Sequence, residues 1–260
     1  MKFLKATLIL TSLFAGVMVH AQEVSLILLR HGESQFNVEK RFAGWSDTPL
    51  TQKGIKQAKQ AGKILAHANI KPTVIHVSLL DRAIDTAQYA SYAMGQSLPK
   101  YAYWHLNERH YGDLEGKTHT EVAKIVGDEQ VKIWRRSFDV PPPPLATTDP
   151  RSPTKNSRYS TINPQSLPHG ESLKQVIDRL NPYWHYALKP TLVSGETVMV
   201  VAHSNSLKAL SSHIDPSLQP EDITSLTIPN ATPVVYRLRV GEDGSLSILS
   251  RQVLNNEATQ

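Results

Sequence analysis

Two histidines stand in matching settings in this 260-residue chain. Leu28-Leu29-Arg30-His31-Gly32-Glu33-Ser34 puts His31 directly after the uncharged apolar run Val24–Leu29. Val200-Val201-Ala202-His203-Ser204-Asn205-Ser206 puts His203 directly after a second such run, Thr197–Ala202. Short apolar runs of this kind read as buried strands, so both imidazoles are expected at strand ends, where they can meet. Taken singly, a histidine after a strand such as His31 is usually structural, and His203 reads either way; the Arg-His-Gly-Glu setting and the strand context favour chemistry. A neutral, oriented imidazole is a nucleophile, and phosphoryl transfer is mostly a matter of positioning and neutralising charge. Arg30, Arg82, Arg135 and Arg136 can supply the neutralising cations, because a planar guanidinium grips two phosphate oxygens at once. Glu108, in Leu106-Asn107-Glu108-Arg109-His110-Tyr111-Gly112, is a candidate general acid/base for the proton of an attacking or leaving hydroxyl. Gly32 is expected to let the backbone approach a ligand closely. His110, His119 and His169 read as loop histidines. With no HExxH and no clustered carboxylates, no metal is expected.

The elements that must position these groups alternate. Strands are predicted over Val24–Leu29, Thr73–Val77, Thr197–Ala202, Thr224–Ile228 and Pro233–Val240, with an extended segment at Tyr101–Leu106 and an edge strand at Gly244–Leu249. Helices are predicted over Thr51–His67 (capped by Thr51), Leu80–Met94, Thr118–Arg136, Ser172–Leu188 (interrupted near Pro182) and Asn205–His213. This alternation predicts an α/β fold, a mainly parallel sheet flanked by helices on both faces. Sites in such sheets lie beyond the carboxyl ends of the strands. The stretch from Pro141 to Pro168, rich in Pro, Ser, Thr and Asn, reads as a lid or a disordered insert; the whole helical and loop lid insertion is placed at about 109–170.

Hydrophobic residues at 40% and charged residues at 20% are globular values, which exclude a disordered chain and a polytopic membrane protein. The net charge of +5 suits a small anionic substrate, and no basic run is long enough to make nucleic acid an expected partner. With no cysteine, thiolate chemistry and disulfides are excluded. Lys2 and Lys5, the apolar Ala6–Val19 and the small-residue site Val19-His20-Ala21 form the pattern of a secretory signal. Residues 1–21 are therefore expected to be a cleaved leader, and residues 22–260 a single exported, periplasmic domain with no stable membrane insertion. An uncleaved anchor or a packed apolar helix are the alternatives.

The motif Leu29–Ser34 resembles the signature of the histidine phosphatase superfamily. Within it the chain is similar to the cofactor-dependent phosphoglycerate mutases, from about Val24 to Leu238. The similarity takes in Asn37, Arg41–Asp47, Leu50–Gly54, Ser78–Thr86, Leu106–Gly112, Gly127–Val131, Trp134–Phe138 and Ala202–Leu207. The resemblance implies that His31 is the phosphorylated nucleophile, that His203 helps hold the transferring group, and that Arg30, Arg82 and Asn37 contact phosphate. It also implies that Glu108 moves the proton, and that Gly44, Tyr111, Arg135, Arg136, Ser204 and Asn205 bind the rest of the substrate. The implied activity is interconversion of 2- and 3-phosphoglycerate, with 2,3-bisphosphoglycerate as primer; the oligomeric state stays open. Four departures stand out. Ala43 replaces a hydroxyl residue. His119 falls where a substrate-binding lysine is usual, with Lys117 nearby as a substitute. Ser204 replaces a glycine, and only about ten residues, Arg251–Gln260, follow the last expected strand, a short cover that would admit water. Two readings therefore compete with the mutase: an exported phosphomonoester hydrolase and a noncatalytic phosphate-binding module.

Overall fold

The buried strands serve two cores at once, because successive side chains of a strand point to opposite faces. The computed structural model describes residues 22–255; the expected leader, residues 1–21, lies outside them. Strands β1 (Gln22–Arg30), β2 (Val74–Val77), β3 (Lys100–Ala102), β4 (Val198–Ala202), β5 (Val234–Val240) and β6 (Leu246–Val253) form one sheet in the order β3-β2-β4-β1-β5-β6. β1, β2, β3 and β4 are parallel, whereas β5 and β6 are added antiparallel. The helices are α1 (Gln35–Val38), α2 (Gln52–His67), α3 (Asp81–Ala93), α4 (His119–Val126), α5 (Asp128–Arg136), α6 (Leu173–Tyr183), α7 (Lys189–Val193), α8 (Ser204–Ile214) and α9 (Pro220–Ser225). Leu26 and Leu28 of β1, with Val198 and Val200 of β4, pack under α6 and α8; Ile27, Leu29, Met199 and Val201 pack under α2 and α3.

This layering creates the site. The chain leaves β1 for α2 on one face and leaves β4 for α8 on the other. The neighbouring carboxyl ends of β1 and β4 therefore open between two diverging connections, the switch point of an open α/β sheet. Arg30 pairs in register with Ala202, and the His31 N–H donates to the Ala202 carbonyl at 3.0 Å. One strand-end pair thus sets the spacing of the two histidines.

Several expectations need correction. Thr224–Ile228 is not a strand: the chain forms α9 through Ser225, opened by Pro220 at its first position, where proline's missing N–H costs nothing. The Tyr101–Leu106 segment divides into the edge strand β3 and a 3-10 turn at Trp104–Leu106. Thr118–Arg136 is two helices, parted by Gly127 at φ +85°. Pro182 does not interrupt its helix; a π-helical turn at Trp184–Leu188 continues α6 into α7. The proline-rich part of the insertion folds as 3-10 turns, anchored by buried Leu145, Tyr159 and Leu167. Two arginines clamp it. Arg158 donates to Asp47 (2.8 Å), Asp81 (3.0 Å) and the Leu79 carbonyl (2.7 Å). Arg151 reaches Asp113 (2.9 Å), Asp149 (2.8 Å) and the Glu115 carbonyl (3.1 Å).

Candidate active site

His31 is buried, and its ring lies 5.1 Å from that of His203, centroid to centroid, tilted by 52°. Its Nδ1 stands 2.7 Å from the Gly32 carbonyl. A carbonyl only accepts, so Nδ1 carries the proton and Nε2 is left with the lone pair of a nucleophile. Burial, then the charges of Arg82 and Arg30, hold the imidazole well below its usual range of protonation. The imidazole is neutral at neutral pH.

His203 is equally buried and is lowered by burial, Arg82, His31 and Arg30. Its Nε2 meets the Ser78 hydroxyl at 2.7 Å, and that hydroxyl already accepts from the Leu80 N–H at 3.3 Å. Nδ1 is buried without a partner among the described residues; with Ser78 as the donor to Nε2, the ring proton sits on Nδ1 and is free to be donated.

The arginines are held by backbone. Arg82, fully buried, donates to the Ser46 carbonyl (2.9 Å) and the Gly44 carbonyl (2.8 Å); Arg30 donates to the Ile228 carbonyl (3.0 Å). Neither has an ion-pair partner within 4.0 Å among the described residues, and the Nε of each is buried and unpartnered. Buried cations and donors of this kind call for an anion. The arrangement fits a phosphoryl group held between Arg30, Arg82, His31 and His203.

A cavity of about 240 Å³ opens from this point. Its walls bring together the predicted Arg30, His31, Asn37, Gly44, Arg82, Glu108, Tyr111, Arg135, Arg136, Ser204 and Asn205; His203, fully buried, adjoins the wall through His31. Glu108 is buried, and its Oε1 accepts from the Arg109 N–H (2.8 Å) and the Asn205 N–H (3.1 Å). Its Oε2 carries no hydrogen bond among the described residues. The Glu108 turn is fixed from behind by Arg179, which pairs with Glu171 at 2.6 Å and donates to the His105, Asn107 and Glu108 carbonyls. Arg109 is buried under Tyr111 and donates to its hydroxyl and to the Arg135 carbonyl, both at 2.8 Å.

Gly44 has φ +48°, and a Cβ there would lie 1.8 Å from the Glu115 carboxylate, so only glycine fits. Gly32 is also obligatory, because a Cβ there would meet the Gly54 carbonyl at 2.4 Å. Lys117 does not substitute for the missing lysine, because its ammonium is paired with Asp113 at 2.8 Å and it is not on the cavity wall. His119 does line the cavity; burial and Arg135 push it down to about 4, so it is uncharged. His110 is a buried structural group whose Nδ1 accepts from the Gly112 N–H at 2.9 Å.

Sequence reasoning missed Glu115, Arg179 and Lys208. Glu115 accepts from the Trp45 and Tyr111 N–H groups, both at 3.0 Å, and from the Ser46 hydroxyl at 3.3 Å. It thereby ties the Gly44 loop to the Tyr111 turn. Lys208 lines the cavity from α8, four residues after Ser204, and that helical spacing was the available signal.

Fold and site together define a histidine-centred phosphoryl-transfer protein on a doubly wound sheet. The comparisons agree: residues 26–153 and 146–247 match the histidine phosphatase superfamily (branch 1), and the chain belongs to it. It is 45% identical over 235 residues to the 2,3-bisphosphoglycerate-dependent phosphoglycerate mutase of Nitratidesulfovibrio vulgaris, covering 90% of this chain and 92% of the relative. It is 47% identical over 215 residues to the enzyme of the same name from Thermobifida fusca, covering 82% and 87%. Among solved structures, mycobacterial glucosyl-3-phosphoglycerate phosphatase superposes with a TM-score of 0.64 at 25% identity, over 90% of this chain and 99% of that one.

Proposed function

We propose that the chain interconverts 2- and 3-phosphoglycerate through a phosphorylated His31. One observation carries the reading: the cavity wall bears five cations without an ion-pair partner among the described residues, Arg30, Arg82, Arg135, Arg136 and Lys208, together with Arg41, which pairs with Glu39, against a single carboxylate, Glu108. Such an imbalance suits a substrate with several negative charges better than a simple phosphomonoester. The relatives named for this reaction support it. 2,3-Bisphosphoglycerate, when bound, supplies the phosphoryl group that primes His31.

The chain's own residues do the rest. Nε2 of His31 takes the phosphoryl group, while the Gly32 carbonyl keeps the ring oriented. Arg30, Arg82 and the Nδ1–H of His203 face the phosphoryl oxygens and neutralise charge as it spreads over them. When the group passes from His31 to a substrate hydroxyl, the N–P bond breaks and an O–P bond forms. Glu108 accepts the hydroxyl proton, then gives it to the neighbouring oxygen as that oxygen's O–P bond breaks and its phosphoryl group returns to Nε2 of His31. Asn37, Gly44, Tyr111, Ser204 and Asn205 line the space for the carbon skeleton, with Arg135 and Arg136 facing its distal charge.

Hydrolysis of phosphomonoesters is a second reading. It is favoured by the likeness to a phosphatase of known structure and by the hydroxyl of Ser204 on the wall beside His203. A parallel assay decides between the two: isomerisation of 3-phosphoglycerate, primed with 2,3-bisphosphoglycerate, and phosphate release on the same sample. Isomerisation exceeding release supports the mutase; unprimed release from several monoesters, with no isomerisation, overturns it. The expected leader would leave Gln22, the first residue of β1, as the mature N-terminus, which N-terminal sequencing of a periplasmic fraction checks.

A further inference from the structure

Lys208 is one of the cations counted above, yet it belongs to no motif that the sequence singled out. It is 8% exposed and lies on the cavity wall, on the same face of α8 as Ser204. Its ammonium donates to the Thr224 carbonyl at 2.6 Å, and no carboxylate lies within 4.0 Å of it among the described residues. The charges it feels are mostly of its own sign. Arg136 from α5, Arg109 from the Tyr111 turn and Arg30 from β1 repel it, and only Glu108 attracts it; with burial the dominant cause, it is lowered to about 8. A backbone carbonyl can satisfy one of its three N–H donors but cannot neutralise it. His119 on the wall is uncharged and Lys117 is bound to Asp113, which leaves Arg135 and Arg136 of α5 as the cations that would share a distal anion with Lys208. Lys208 is the one lysine on the wall, and of the Arg30, Arg82, His31 and His203 cluster only Arg30 acts on its charge.

We infer that Lys208 is a specificity-determining residue: it receives the second anionic group of the substrate, a carboxylate or phosphate remote from the transferring one. It thereby makes the site select doubly anionic phosphoesters over plain phosphomonoesters. The inference rests on the phosphoglycerate reading and adds the residue that enforces it. An anion at this position would replace repulsion from Arg136, Arg109 and Arg30 with a charge-assisted hydrogen bond.

The test is a pair of equilibrium affinities, measured by calorimetry on the unphosphorylated chain at pH 7. The ligands are 3-phosphoglycerate and glycerol 3-phosphate, which differ in one carboxylate. The wild type is expected to favour 3-phosphoglycerate. In Lys208→Met the ratio of the two affinities should collapse by about tenfold or more, and Lys208→Arg should restore most of it. A Lys208→Met protein that keeps the wild-type ratio, with both affinities unchanged or both weakened equally, overturns the inference and assigns Lys208 to holding the Thr224 segment. A wild type with no preference for the carboxylate ester overturns the phosphoglycerate reading itself, a different and separable result.

Discussion

The two halves of the cavity are built differently. At the sheet edge, His31, Arg82 and His203 are buried, and their hydrogen bonds run to backbone carbonyls or to a buried serine. On the helical side, Arg136 is exposed, Arg135 is half-buried, and both hang from the last turn of α5. Backbone anchors cannot change rotamer, so the side chains of the first half are held in place before any ligand arrives. Long side chains on a short surface helix keep their freedom, which suits recognition of a distal charge. Under the proposed function, this difference gives rate to one half and substrate choice to the other.

His31→Ala should break the sheet-edge half outright. No other described group presents a free lone pair at that point, and the expected loss in kcat is about 10⁴-fold. Transfer of label from 2,3-bisphosphoglycerate onto the protein should also vanish. Label retained on the variant would place the nucleophile elsewhere. Arg82→Met comes next, at about 10²- to 10³-fold in kcat, with KM for 3-phosphoglycerate changed far less. Comparable losses in kcat and KM would show that Arg82 acts mainly in binding, and the assignment of rate to this half would fail.

The two halves were also unequally legible. Arg30, His31, Arg82 and His203 follow apolar runs whose strand character is written in consecutive residues, so the switch point is legible in the sequence itself. The helical side depends on contacts between distant segments. Nothing local in Glu115 signals that its carboxylate fills the space beside Gly44, and nothing local in Arg158 signals a clamp on Asp47 and Asp81. The proline-rich stretch read as lid or disorder for the same reason: its anchors lie elsewhere in the chain. The strand expected at Thr224–Ile228 failed because β-branched residues outweighed the Pro220 helix start. Lys208 was missed because it lies beyond the motif, although helical spacing from Ser204 pointed to it.

Glu115 sits on the seam, and its charge can be used to measure how tightly the halves are joined. Burial pushes its carboxyl from 4.5 up to about 7, opposed by the Trp45 and Tyr111 N–H groups, the Ser46 hydroxyl and Arg82. An acid raised on folding holds its proton more tightly in the native state. Its contribution to stability is therefore fully present below about 4.5, falls as pH rises toward 7, and is level above that. Glu115→Gln removes the titration. The stability of the variant relative to wild type should rise by about 2 to 3 kcal/mol between pH 5 and pH 8, read from urea unfolding at each pH. A difference that does not move with pH would mean that the carboxylate is solvated in the native protein and the seam is loose.

Arg136→Ala should give the smallest effect, and it tests the helical side most directly. The side chain is exposed, so its attraction for a substrate anion is partly screened. Its removal leaves the Arg30, Arg82, His31 and His203 cluster untouched. If substrate choice resides on α5, KM for 3-phosphoglycerate rises by about tenfold with kcat nearly unchanged, the pattern of a contact equal in ground and transition states. The rise should shrink with added salt, because a screened charge contributes less. A fall in kcat with KM unchanged would instead bring Arg136 into the transition state, and the division of labour between sheet and helices would have to be redrawn.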